Sequence, residues 1–159
     1  AIVDATPFYA ESGGQTGDTG TLTGTGLRAT VTDTKKPAGS VFFHHVSVEE
    51  GELSVGGTVT LQIDAKRRAA IKLNHTATHL LHAALRQVLG DHVMQKGSLV
   101  APDRLRFDFS HPRPVTLDEQ QQIEDLVVAE ILRNQSLGVA EMSMDDAMEK
   151  GSMAEFVEK

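Results

Sequence analysis

Along residues 1–63 apolar side chains alternate with polar ones. The stretches "LRATVTD" and "TVTLQID" have the period of two and the β-branched content of half-buried strands. "GSVFFHHVSV" predicts a third strand, and the glycines of "GTLTGTG" predict a tight hairpin. Short strands about ten residues apart imply a small barrel or a curled sheet. At Asp64 the pattern changes to helix. Asp64 can cap the first amides, alanine-rich helix formers follow, and Gly90 closes the run. "KGSLV" and "RLRFDFSH" then predict two strands, with Leu105, Phe107 and Phe109 alternating against Arg104, Arg106 and Asp108.

Two prolines in "HPRPV" break the chain, and "TLDEQ" is a capping box with Thr116 at the cap and Glu119 three residues on. It opens a helix with Ile123, Leu126, Val127 and Ile131 on one side. A short strand is expected at 139–142, then a last helix capped by Ser143 with Asp146 and stopped by Gly151. The pattern predicts an α+β protein. A small N-terminal β-barrel-like lobe over 1–63 carries a Gly-rich loop. An α+β lobe over 64–159 holds a long histidine-bearing helix, a β-hairpin and a second helix. The closing "SMAEFVEK" brings no further strand, so the chain reads as cut rather than finished.

Composition narrows the function classes. At 159 residues, 40% hydrophobic and 23% charged, the chain can bury a core and has the balance of a soluble globular protein. It has no apolar run long enough to span a bilayer and no leading signal segment. Cysteine is absent, which excludes disulfides and thiolate ligands within this chain and favours the cytoplasm. The net charge of −7 lacks the basic excess of a dedicated nucleic-acid binder. The basic residues are uneven, however. Lys66, Arg67, Arg68, Lys72, Arg86 and Lys96 gather around the histidine helix, either as a contact for a nucleic-acid end or as a solvated helix face.

That helix poses the chemical question. In "KLNHTATHLLHAALRQVL", His75, His79, His82 and Arg86 fall within roughly 60° of one another at 100° per residue. Leu73, Ala77, Leu80, Leu81, Ala84 and Val88 fall opposite, on the stripe a helix buries. Histidines at i and i+4 can share one metal ion, and surface histidines have the same spacing. Thr76 follows His75 where a metalloprotease helix carries its glutamate base, which excludes that mechanism. His82 lies a further turn along and is expected to be an outer or surface group. In "TPFYAESGGQTGDTG" the glycines permit close approach of another group, while the lysine of a phosphate loop is missing. Glu11, Ser12 and Gln15 can line a site mouth, or the loop can be an ordinary turn. Gln95 in "MQKGS" enters the strand after the histidine helix, where it can lie under a ligand or be a plain loop glutamine.

Taken in order, "TPFYAESGGQTGDTG", "NHTATHLLHAALRQVLGDHVMQKGSLV", "RLRFDFSH" and "KGSMAEFVEK" closely resemble the editing domain of bacterial alanyl-tRNA synthetases. That domain hydrolyses the ester of serine or glycine wrongly attached to the alanine tRNA. The resemblance implies that His75 and His79 are two zinc ligands, that Gln95 is an editing-site glutamine, and that the loop around Gly13 and Gly14 lines the pocket. The family's other two ligands come from a downstream Cys-x-x-x-His motif that this chain lacks, so the zinc site is expected to be incomplete here. The implied partners are the aminoacyl end of a mischarged tRNA and the remaining synthetase domains, with no membrane. Gln15, Thr76 and Thr78 are expected beside Gly13 and Gly14 as substrate-binding groups, and Glu11 as a water-orienting base. Three other readings stay open: a catalytically silent fragment, a free-standing trans-editing hydrolase, and a structural domain whose histidines bind nothing.

Overall fold

The fold is described from a computed structural model covering residues 1–136, 138 and 140–149. Its elements run β1 (Gly20–Gly24), β2 (Leu27–Ala38), β3 (Val41–Glu50), β4 (Thr60–Ile63), α1 (Ala65–Leu89), β5 (Gln95–Val100), β6 (Leu105–Phe109), α2 (Leu117–Arg133) and α3 (Met144–Glu149). The expected α+β class and order of elements hold. β1 to β4 form one antiparallel sheet in the order β3-β2-β1-β4, and β5 pairs with β6. No pairing joins β3 to β4 among the described residues, so the sheet is open and the barrel does not close. Three register shifts break the β2–β3 ladder, and bulges of this kind twist a sheet locally.

Alternation decides which face of the sheet is buried. Leu22, Ala29 and Val31 have no exposed surface and pack with Phe8 as one core of the chain. The second core joins Ala84 and Leu85 of α1, Val93 and Ile123 of α2, with Phe107 and Phe109 of β6 packed against it. Asp64 caps α1 by accepting from the Arg67 amide at 2.9 Å, and Gly90 ends it at φ 114°. The Thr116–Glu119 capping box forms on α2 as expected, and the Ser143 hydroxyl accepts from the Asp146 amide at the start of α3.

Two expectations fail. Ala140, Glu141 and Met142 carry no strand; Val139 and Gly151 lie outside the described residues. Ile131 is expected on the packed side of α2, yet it is 55% exposed, lining an open groove with Leu73, Ala77 and Leu80 of α1.

Candidate functional site

The buried line of α1 runs through Ile71, Thr78, His82 and Leu85, and therefore between the two faces the sequence suggests. The reason is that α1 is packed from two directions. Leu81, Ala84 and Val88 belong to the core shared with α2, while the β5–β6 hairpin lies against the flank where the histidine arc begins. His82 is consequently 6% exposed, with its ring 5.1 Å from that of Phe107, and is a core residue rather than an outer or surface group. Leu73, expected in the buried stripe, is 74% exposed. His75 and His79 stay at the surface. Their rings stack at 5.1 Å with an interplanar angle of 25°. Burial of the His79 ring, and then the proximity of His75 and His82, holds its pKa below the ordinary imidazole value and so favours the neutral, metal-binding form.

The Gly-rich loop is laid against the end of β5 through one parallel bridge between Gln15 and Val100. The Val100 amide donates to the Gly14 carbonyl at 2.8 Å, and the Thr16 amide donates to the Val100 carbonyl at 3.0 Å. Gly14 is obligatory at this crossing. Its φ is 83°, and a Cβ there would stand 2.5 Å from the Ser98 carbonyl oxygen. The next turn of the loop is fastened to α1. Arg67 donates to the Gly17 carbonyl at 2.8 Å, and the Arg68 guanidinium grips Asp18 with Nε at 2.9 and 3.0 Å from its two oxygens. Asp18 is 2% exposed and also accepts from the Tyr9 amide at 2.7 Å. Sequence reasoning missed this carboxylate, whose only signal was an acidic residue among glycines opposite "KRR". Two of the clustered cations therefore tie the fold together, which leaves Lys66 and Lys72 as exposed cations of that helix end.

This fastening brings Gln15 to the histidines. Gln15 is 9% exposed, and its Oε1 lies 2.6 Å from Nδ1 of His75. The other expected site residues are placed differently. The Glu11 carboxylate faces Lys35 of β2 at 3.5 Å and raises the pKa of that lysine. Thr76 and Thr78 turn their hydroxyls back onto α1, donating to the Lys72 carbonyl at 3.1 Å and the Asn74 carbonyl at 2.8 Å, and Thr78 is buried. Ser12 exchanges backbone hydrogen bonds with Gln15, and Gly13 turns beside it at φ 56°. Gln95 opens β5 opposite Phe109, half-buried, with a bulge immediately after it.

The donor set fits two of the positions of a zinc ion. Two imidazoles on successive turns, one with Nδ1 already engaged, suit nitrogen coordination. Among the described residues no group of three His, Cys, Asp or Glu side chains converges, so these two rings alone do not complete a metal centre. No helix among the described residues is long and apolar enough to cross a membrane.

Residues 1–67 match the family model of class II (A) tRNA synthetases. The chain is 57% identical over 158 residues to the alanine–tRNA ligase of Rhodopseudomonas palustris, and 54% identical over the same length to that of Nitrobacter winogradskyi. Each alignment covers 99% of this chain and 18% of the relative, so the chain spans less than a fifth of the ligases it matches. Across nearly its whole length, the chain is homologous to one segment of alanine–tRNA ligases.

Proposed function

We propose that this chain is the editing part of an alanine–tRNA ligase, hydrolysing the ester of serine or glycine misattached to the alanine tRNA in the cytoplasm. The observation that carries the reading is the exposed, stacked pair His75 and His79 in a chain that aligns with these ligases over 99% of its length. The need for such an activity follows from chemistry. An apolar activation pocket rejects an analogue that only adds a hydroxyl by about 10², whereas a second site built to hydrogen-bond that hydroxyl discriminates by roughly 10⁴–10⁵. Charging with ATP and the bulk of tRNA affinity belong, in this reading, to the rest of the ligase; the acidic net charge of −7 is consistent with that division.

In this reading His75 and His79 would hold a zinc ion through their ring nitrogens, with further ligands supplied by the rest of the ligase. When bound, zinc supplies positive charge that orients the aminoacyl end and polarises a water beside it. The chain's own groups do the positioning. Stacking keeps the two rings at 5.1 Å and Gln15 fixes one of them, whereas Gln95 starts β5 opposite Phe109, at the other end of the strand from Val100, where the Gln15 loop is attached. Glu11 is engaged by Lys35, so a role as water-orienting base requires that ion pair to open. Gly13 and Gly14 shape the loop, Thr76 keeps only hydroxyl lone pairs for a substrate, and the buried Thr78 stays out of its reach.

The test is deacylation of seryl-tRNA(Ala) by the full-length ligase. His75→Ala with His79→Ala is expected to lower the rate by at least about 10², the scale of a lost electrostatic element, while alanine charging is unchanged. Unchanged deacylation by the double variant contradicts the proposal.

A further inference from the structure

The geometry points to Gln15 as the positioning residue of His75: its side-chain oxygen accepts a hydrogen bond from Nδ1–H and thereby leaves Nε2 as the nitrogen with the free lone pair. This goes beyond the proposed editing function but rests on it for the use made of that nitrogen. The sequence suggested Gln15 as a substrate contact, and the 2.6 Å separation from His75 spends its oxygen on the protein instead.

The deduction is one of donors and acceptors. An amide oxygen only accepts, so a 2.6 Å contact with Nδ1 requires the proton to sit on Nδ1. A neutral imidazole carries one N–H, and its other nitrogen is then the acceptor and metal ligand. Ligating histidines generally hold their second nitrogen by such an outer partner, usually a carboxylate, a backbone carbonyl or a water, and here a glutamine takes that place.

Gln15 is built for the task. Its backbone exchanges two hydrogen bonds with Ser12, at 3.2 and 2.9 Å, and the next residue donates to Val100 of β5. Thr16 adds its hydroxyl to the same carbonyl at 3.2 Å, and Arg67 and Arg68 hold Gly17 and Asp18. Gln15 is 9% exposed, so its side chain has little freedom to leave His75. The contact also spans 60 residues of sequence and joins the loop of the first lobe to the helix of the second. The orientation of the histidine therefore depends on the two lobes being docked.

Long-range ¹H–¹⁵N spectroscopy on this chain, without metal or tRNA, reads the tautomer of His75 directly at about pH 8, above the ordinary imidazole range. The expected result is the Nδ1–H form in the wild type, retained in Gln15→Glu, whose oxygens also accept, and shifted toward Nε2–H in Gln15→Leu. Zinc affinity of the full-length ligase should follow, falling about 10- to 100-fold in Gln15→Leu and recovering in Gln15→Glu. An Nε2–H wild type, or a Gln15→Leu chain that keeps the Nδ1–H form, overturns the inference. Should Gln15→Leu fail to fold, the wild type and Gln15→Glu still decide: Nδ1–H in both supports it, and Nε2–H in either overturns it. The tautomer is read without turnover, so a failure of the editing proposal is seen separately.

Discussion

His44 and His75 use the same side chain for opposite ends. His44, on β3, is 2% exposed and has both ring nitrogens occupied, Nε2 by the Thr6 hydroxyl at 2.7 Å and Nδ1 by the Ala1 carbonyl at 3.3 Å. Its ring meets Phe8 edge-on at 5.4 Å, and burial pushes its pKa below the usual imidazole value. His75, on α1, has one nitrogen taken by Gln15 and lies at the surface, stacked on His79. A histidine with both nitrogens satisfied inside the fold is a packing and hydrogen-bonding piece. One that is held by a single nitrogen at the surface is an oriented donor. Counting histidines cannot separate the two, whereas counting their partners does.

The strongest way to break this contrast is at the latch that presents Gln15. Asp18→Ala leaves the Arg68 guanidinium without its buried carboxylate and frees the Tyr9 amide, so chemical denaturation should show a loss of about 3 kcal/mol. A loss below about 1 kcal/mol would mean that the loop is held by its pairing with β5 alone. Next, His44→Ala should cost about 2 kcal/mol, from a cavity and the lost Thr6 contact, whereas His75→Ala, at an exposed ring, should cost less, about 1 kcal/mol, from the lost contact with Gln15. Equal costs at the two positions would erase the distinction drawn between them.

The smallest effect lies far from either histidine and serves as a control for acid sensitivity. The Arg113 guanidinium, and then the Thr116 amide, hold the Glu119 carboxyl down at about 2, against an ordinary 4.5. A lowered folded-state pKa contributes stability that is present above about pH 4.5 and is lost as pH falls through about 2. Acid titration followed by helix signal should show Arg113→Ala losing helix at higher pH than the wild type, with the two converging as pH falls to about 2. A wild-type Glu119 that titrates at its ordinary value would refute the coupling.

The elements of the fold were legible because they rest on local rules. Asp64, Gly90 and the Thr116–Glu119 box mark helix ends through backbone amides a few residues away, and alternation in "RLRFDFSH" marks a strand with one packed face. The fate of His82 was not legible, because a helical wheel shows one apolar stripe and α1 is packed from two sides. The closure of the β lobe was not legible either, since whether edge strands meet depends on sheet curvature rather than on any single strand. At the site, the spacing of His75 and His79 was visible, but the Gln15 contact and the Asp18–Arg68 latch were not. Each spans at least 50 residues, and no local pattern reports a partner at that distance.

The most direct measurement is zinc binding by the full-length ligase, compared between the wild type and His75→Ala with His79→Ala. If these two rings are oriented donors, the wild type binds one zinc per chain and the double variant weakens it by more than about 100-fold, beyond what loss of an outer partner causes. Equal zinc affinity in the two proteins would contradict the account and return the pair to the ordinary surface of a helix.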